Sequence, residues 1–350
     1  MARQSHIFTG VSRHRGGARS GVFRRAVDAA SWELLEGGLP SGANAHCVTV
    51  DPHAPDTVYA GMQDGAYRTT DGGNRWHKLA LPDSTEIWSF LVHPKRPRTL
   101  YAGASPVAVY RSDDGGERWR KLPPLKIPER IKMAFDCRVM RFAVDPAEDD
   151  TLYATVEVNG VMRSRDGGES WDDCSADLIK LAEQEPHLKS KIGSDNEREG
   201  MLDGHALITL PAAPGSVIVA VRMGLFKSND RGAHWQDMQV GRFSPVTYGR
   251  DIRVSPQDPK VLYACLSVAA SSDHGRVYRS ADQGETWQRF DEGLNAGSTM
   301  MAVIPHPRDP NQVYCTSRKG EVFGTQDGGK SWQAMPLPDG CSDVYAIACN

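Results

Sequence analysis

No stretch of this sequence approaches the ~20 consecutive apolar residues of a membrane-crossing helix, so a membrane is not expected as a partner. Charge of one sign is not in excess either: 41 Lys and Arg stand against 44 Asp and Glu, a formal net charge of −3. Proteins that grip nucleic acid through its phosphates need a basic surplus, so nucleic acid is not expected as a partner. Cysteine is sparse, with seven residues and no C-x-x-C pair. Cys47, Cys265, Cys315 and Cys349 fall inside apolar runs, where a free cysteine acts as a small hydrophobe. The segment from Met1 to His6 leads into a short apolar pair and then a basic, Gly-rich stretch, without the apolar core of a signal peptide. These features predict a reduced, cytoplasmic protein. Clusters of His, Cys, Asp and Glu at metal-ligand spacing are also missing, so neither a metal nor another cofactor is expected.

What the chain has instead is repetition. One pattern returns six times: an aromatic or Met, a basic or small residue, Ser or Thr, any residue, Asp, then Gly and Trp. The first copies are Tyr67-Arg-Thr-Thr-Asp71-Gly-Gly-Asn-Arg-Trp76 and Tyr110-Arg-Ser-Asp-Asp114-Gly-Gly-Glu-Arg-Trp119. The others centre on Asp166, Asp230, Asp282 and Asp327 and end at Trp171, Trp235, Trp287 and Trp332. Asp accepts hydrogen bonds from backbone N–H groups within a turn, and Gly supplies the positive φ that closes it. The Trp then folds its ring back over the turn and opens the next strand.

A second element precedes each motif, as in Val48-Thr-Val-Asp-Pro52 followed by Val58-Tyr-Ala-Gly61. It reads as an apolar strand, a Pro-bearing turn and a second apolar strand. Four strands per unit of ~45 residues is the arithmetic of a β-propeller blade, with strands A to D running from the axis outward. His6–Gly10, Gly21–Arg25 and Ser31-Trp32 supply strands B, C and D of a further blade, with the motif Asp lost or moved to Asp28. Asp343–Cys349 supplies its missing A strand. The expectation is therefore an all-β, seven-bladed propeller over 1–350, a single domain in which the first and last strands close the ring and leave no free sheet edge.

The motifs resemble the Asp-box, or bacterial neuraminidase repeat, of sialidases, xyloglucanases, the sortilin luminal domain and a photosystem II assembly factor. That resemblance covers nearly the whole chain. It implies that the box Asp residues lie at C–D turns on the periphery and hold the fold rather than perform chemistry. The Phe-Arg-Ile-Pro segment of sialidases is not matched, since Phe23-Arg24-Arg25 is followed by Ala and Val.

A propeller offers ligands the end of its axis where A strands begin and B–C loops gather. Aligning the A strands on the Val-Asp-Pro position places His46, Trp88, Met140, Ala206, Arg250, Met301 and Tyr345 around that mouth, with Arg141 and Asp251 in the next layer inward. Flanking connections add Glu86, Asp136, Arg138, His205, Tyr248 and Arg318, and a B–C loop adds Glu157. Arginine is rarely buried without a partner, so Arg141 and Arg250 face either carboxylates of neighbouring blades or an anionic ligand. On the second reading Arg141, Arg250, Trp88, His205 and Tyr345 hold a substrate. Asp136, Asp251, Glu157 and His46 are then the candidate catalytic acids and bases.

The spacing between motif tryptophans is widest between Trp171 and Trp235. The excess, 174–206, is an inserted flap on the same end of the axis, with a short helix after Ser175 and a charged, mobile remainder. Two functions follow. The first is a glycosyl-hydrolase-like enzyme acting on a small polar molecule or carbohydrate in the funnel. The alternative is a non-catalytic propeller that binds a ligand or a protein partner.

Overall fold

The computed structural model describes residues 4–350. Its strands form seven four-stranded antiparallel sheets. The first is built from Ala45–Val50, Val58–Met62, Gly65–Thr69 and His77–Lys78 as strands A to D. The A strands of blades 2 to 6 are Glu86–Val92, Val139–Val144, Gly204–Thr209, Tyr248–Val254 and Met300–Pro305. In the closing blade, Ser342–Cys349 is strand A and His6–Ser12, Gly21–Ala26 and Glu33–Leu34 follow as B, C and D. Ile7 pairs with Cys349 and Thr9 with Ile347, so the ends of the chain share one sheet. Asn350 extends the closure: its Oδ1 accepts from His6 N at 2.8 Å and its Nδ2 donates to Pro55 O of the first blade at 2.9 Å.

The core is divided among the gaps between blades. Tyr101, Val109 and Leu122 of blade 2 pack on Phe142, Val144 and Leu152 of blade 3, and each junction around the ring repeats this arrangement. The seven cysteines are all free, and six of them are buried. No helix among the described residues is long and apolar enough to cross a membrane.

The Asp-box turns show why the repeat takes this shape. In the first blade Thr69 Oγ1 accepts from Gly73 N at 3.1 Å and donates to Asp71 Oδ1 at 2.7 Å. Asp71 Oδ1 in turn accepts from the backbone N of Asn74 and Arg75. Trp76 Nε1 donates to Gly73 O at 3.0 Å, which locks the ring over the turn. The closing blade has no such box. Asp28 accepts instead from Gln4, and Trp32 Nε1 reaches Met335 O on the preceding blade.

Residues 174–206 form a packed lobe. A helix, α1 (Ala176–Gln184), buries Leu178 and Ala182. Ser175 is its N-cap, but the Ser175 hydroxyl bonds the backbone of Val161 rather than the helix. The remainder, read from sequence as mobile, is tied to Glu199. That carboxylate accepts from Ile192 N, Gly193 N and Ser194 N, and lies 3.3 Å from Arg222.

Two predictions arise from the turns. Four boxes place Gly directly after the Asp with φ between 68° and 79°, whereas Arg231 and Gln283 adopt φ 60° there with a side chain attached. Replacing Gln283 by Gly should raise stability by about 0.5–1 kcal/mol, read from urea midpoints, because the left-handed conformation is strained for residues with a Cβ. The box carboxylates also set acid tolerance. Hydrogen bonds from Arg118 N and Ser112 hold Asp114 down to about 2, and the Ser331 side chain and backbone do the same for Asp327. In Asp71, Asp166 and Asp282 burial pulls upward, but the same bonds win and the shift is again downward. A depressed native pKa means stability that is full above the unfolded value of 3.8 and lost as pH falls towards 2. Urea midpoints should therefore drop steeply across that window, and the drop should shrink in Asp114→Asn.

Candidate functional site

In every blade the pairing of strand A with strand B slips by one residue at the same level. The slips fall at His46, Trp88, Met140, His205, Arg250 and Met301, and at Tyr345 in the closing blade. A bulge leaves one residue outside the ladder and re-aims its side chain. Here all seven line one axial cavity of about 50 Å³. The fourth member of the ring is His205, not Ala206, which lies one residue deeper and pairs with Ala220. The proline ending each A strand gives the correct register, since Pro52, Pro94, Pro146, Pro211, Pro256 and Pro307 all lie six residues after the bulge.

The inner layer is an ion-pair knot. Asp251, fully buried, accepts from Arg141 of blade 3 and Arg253 of its own blade, each at 3.1 Å, and from Val303 N of blade 6. Burial and the nearby Arg253 pull Arg141 down to about 10. Both Asp251 oxygens are thus committed to holding three blades together and are not free for acid–base work.

Above this floor the rim is polar and largely neutralised in pairs. Glu157 accepts from Arg138 at 2.6 Å. Burial pushes the Glu157 carboxyl upward, and Arg138 acts against it. The Arg138 guanidinium also lies 3.8 Å above the Trp88 ring, and His46 stacks on the same indole at 3.9 Å. His46 Nε2 lies 2.9 Å from Glu86 Oε1, and the His14 ring stacks on His46 at 5.2 Å. Tyr345 meets this stack edge-on. On the far wall His205 Nδ1 faces Gly249 O at 2.8 Å, and its Nε2 lies 3.0 Å from Tyr248 OH. Burial lowers the His205 pKa, which suits a neutral ring donating from Nδ1 and accepting at Nε2. Asp203, buried beside it, takes Arg222 Nε at 3.1 Å, and Arg318 Nη1 lies 3.5 Å from Asp343.

Arg250 differs from these. It is 9% exposed, lines the cavity, and makes no hydrogen bond or ion pair among the described residues. Burial lowers Arg141 and Arg318, and the charge of Arg250 adds to that; burial raises Tyr248, and Arg250 acts against it.

Of the residues read from sequence, Arg141, Arg250, Trp88, His46, His205 and Tyr345 converge on this cavity. Glu157 sits at its rim. Asp136 is exposed on the loop before blade 3, its backbone oxygen accepting from Ser105. His14, Asp203 and Asp343 escaped the sequence reading. His14 and Asp203 lie in connections outside the repeated strand pattern, and Asp343 lies at the start of the closing A strand.

Comparisons with known proteins agree with this architecture. The family described as "Sortilin, neurotensin receptor 3" matches residues 275–349. A xyloglucanase of Paenibacillus sp is 24% identical over 227 residues, 54% of this chain and 20% of that protein. The chain thus spans about a fifth of that relative's length. Among solved structures, the GH74 enzyme of Niastella koreensis superposes with a TM-score of 0.64 at 18% identity, covering 87% of this chain and 46% of the other. YCF48 bound to D1 peptide superposes with a TM-score of 0.57 at 15% identity, covering 89% and 94%. The chain is an Asp-box β-propeller. Such distant likeness shows the fold, and propellers of this type include both enzymes and binding proteins.

Breaking the knot beneath the pocket tests whether Asp251 is structural in this Asp-box propeller. Asp251→Ala strands the two guanidinium groups it holds and should cost about 3–5 kcal/mol in urea unfolding. A loss under about 1 kcal/mol would show that Asp251 does not hold the blades.

Proposed function

We propose that this propeller is a binding protein that takes an anionic group, a carboxylate or similar oxyanion of a polar ligand or protein partner, into the axial pocket. The observation that carries this reading is Arg250, nine-tenths buried and without a partner among the described residues. An isolated charge is costly to bury, and the cost is recovered when an oxyanion supplies bidentate hydrogen bonds. Tyr248, Arg318 and the Trp88–His46 stack would flank the incoming group. The cavity of about 50 Å³ suits the terminal group of a ligand rather than a whole drug-sized molecule, whose pockets run to about 300 Å³ or more. YCF48 is named as bound to a peptide, which fits a peptide-borne carboxylate as the ligand.

Carbohydrate hydrolysis is the second reading, supported by the xyloglucanase relative and by a groove of about 960 Å³ beside the flap. Arg130, Lys132, Glu183, Asp195 and Glu197 line that groove and offer carboxylates for such chemistry.

The variant Arg250→Met separates the alternatives. It should make the free protein more stable, because an uncompensated buried charge is removed. It should also weaken citrate or succinate binding by about tenfold or more, measured by calorimetry. Equal carboxylate binding by wild type and Arg250→Met would overturn the proposal. Release of reducing sugar from xyloglucan, abolished by Glu183→Gln, would establish the second reading instead.

A further inference from the structure

We infer that His14, His46 and Glu86 form a binding site for a divalent transition-metal ion of the zinc type at the mouth of the axial pocket. The three residues come from the B–C loop of the closing blade and the A strands of blades 1 and 2. Their ligand atoms all lie within 4.8 Å of one another. Two imidazole nitrogens and one carboxylate form a donor set suited to zinc and its first-row neighbours.

The setting of His46 Nε2 makes the case stronger than proximity alone. The Ser12 hydroxyl donates to Ala45 O at 3.2 Å and lies 3.4 Å from His46 Nδ1. With its proton given to Ala45, Ser12 can accept from His46 Nδ1, the tautomer in which Nε2 is free to bind an ion. In the neutral ring Nε2 then holds a bare lone pair. That atom is buried, lies 2.9 Å from Glu86 Oε1, and makes no directional hydrogen bond. Two lone pairs at this distance repel unless a cation lies between them. A metal ion satisfies both groups. The Ser12–Nδ1 contact is then the outer hydrogen bond that metal-bound histidines commonly make.

His14 stacks on His46 with the ring planes 13° apart, so its ring turns out of that stack to aim a nitrogen at the ion. Zinc bonds of about 2.0–2.2 Å bring ligand atoms closer than 4.8 Å, and exposed His14 on its loop is the member free to move inward. Glu86 is half-buried at the same mouth, with its Oε1 2.9 Å from His46 Nε2. Arg138 is the nearby cation, and Glu157 neutralises it at 2.6 Å. The inference does not depend on an anion entering beside Arg250.

Titration of chelator-stripped full-length protein with zinc chloride, followed by calorimetry, tests the site. One equivalent should bind, and cobalt chloride should give visible ligand-field absorption bands. His14→Gln alters an exposed side chain that the fold does not need, and Glu86→Gln keeps the side-chain shape. Each should weaken zinc binding by about tenfold or more. His187→Gln, at a surface cluster with Glu185 and Asp237, should bind as wild type does. Arg250→Met should also keep its metal, whatever becomes of anion binding. Zinc binding unchanged in both His14→Gln and Glu86→Gln, or no one-equivalent transition in wild type, would overturn the inference and leave a protonated His46–Glu86 pair.

Discussion

The pairing of Ser342–Cys349 with His6–Ser12 is the constraint on which this molecule depends, because it converts a row of sheets into a ring. A row would leave two sheet edges open to other chains. A ring also fixes how near the seven A strands come to one another. At that radius backbone and side chains of neighbouring A strands bond directly, as Ser89 Oγ does to Val139 O and Thr209 Oγ1 to Val144 O. Closure therefore brings Arg141 and Asp251 together, though a whole blade separates theirs. It makes the axis narrow, and a narrow axis makes every charge there answer to its neighbours.

Those neighbours are arranged with economy. Moving outward from the floor, Asp251 is met by Arg141 and Arg253, Glu157 by Arg138, Asp203 by Arg222 and Asp343 by Arg318. Buried ion pairs of this kind contribute little net stability over apolar packing, but removing one partner is costly. They fix the blades in one arrangement and define a pocket whose potential is set by whatever remains unpaired. Arg250 and the His46–Glu86 contact are what remain. The two lie on different sides of the same mouth, one a cationic side chain without a partner among the described residues and the other a ring nitrogen facing a carboxylate.

Much of this was legible in the sequence because the repeat carries its own physics. Asp71, Gly73 and Trp76 each perform a separable task in the turn, so six copies identify the fold without reference to anything else. The seventh blade followed from the leftover segments His6–Gly10 and Asp343–Cys349, each of which lacks a partner until the other is found. The error at blade 4 has a physical origin. Blade 4 reads Thr209-Leu210-Pro211 where others read Val-Asp-Pro, and taking the apolar Ile208 instead of Leu207 as the counterpart of Val48 placed Ala206 where His205 belongs. Pro211 gives the register because it follows the strand, where the count is fixed. His14 was not legible, since the loop that carries it has no counterpart in the other blades. Nor was the fate of Ser175, whose hydroxyl serves Val161 because that strand lies closer than the turn of α1. The charges of 189–204 suggested motion, yet Glu199 gathers three backbone N–H groups around itself, a contact between residues too irregularly spaced to read.

The repeated bulge separates the fold from its purpose. A residue that contributes nothing to the ladder can be exchanged without disturbing the strands that present it, so each blade offers one seat whose occupant is chosen by something other than folding. Seven seats facing one another form an alphabet of positions, filled here by two histidines, two methionines, a tryptophan, a tyrosine and an arginine. The scaffold keeps its shape whatever is written there, so a change of ligand in this architecture needs only a rewriting of the ring.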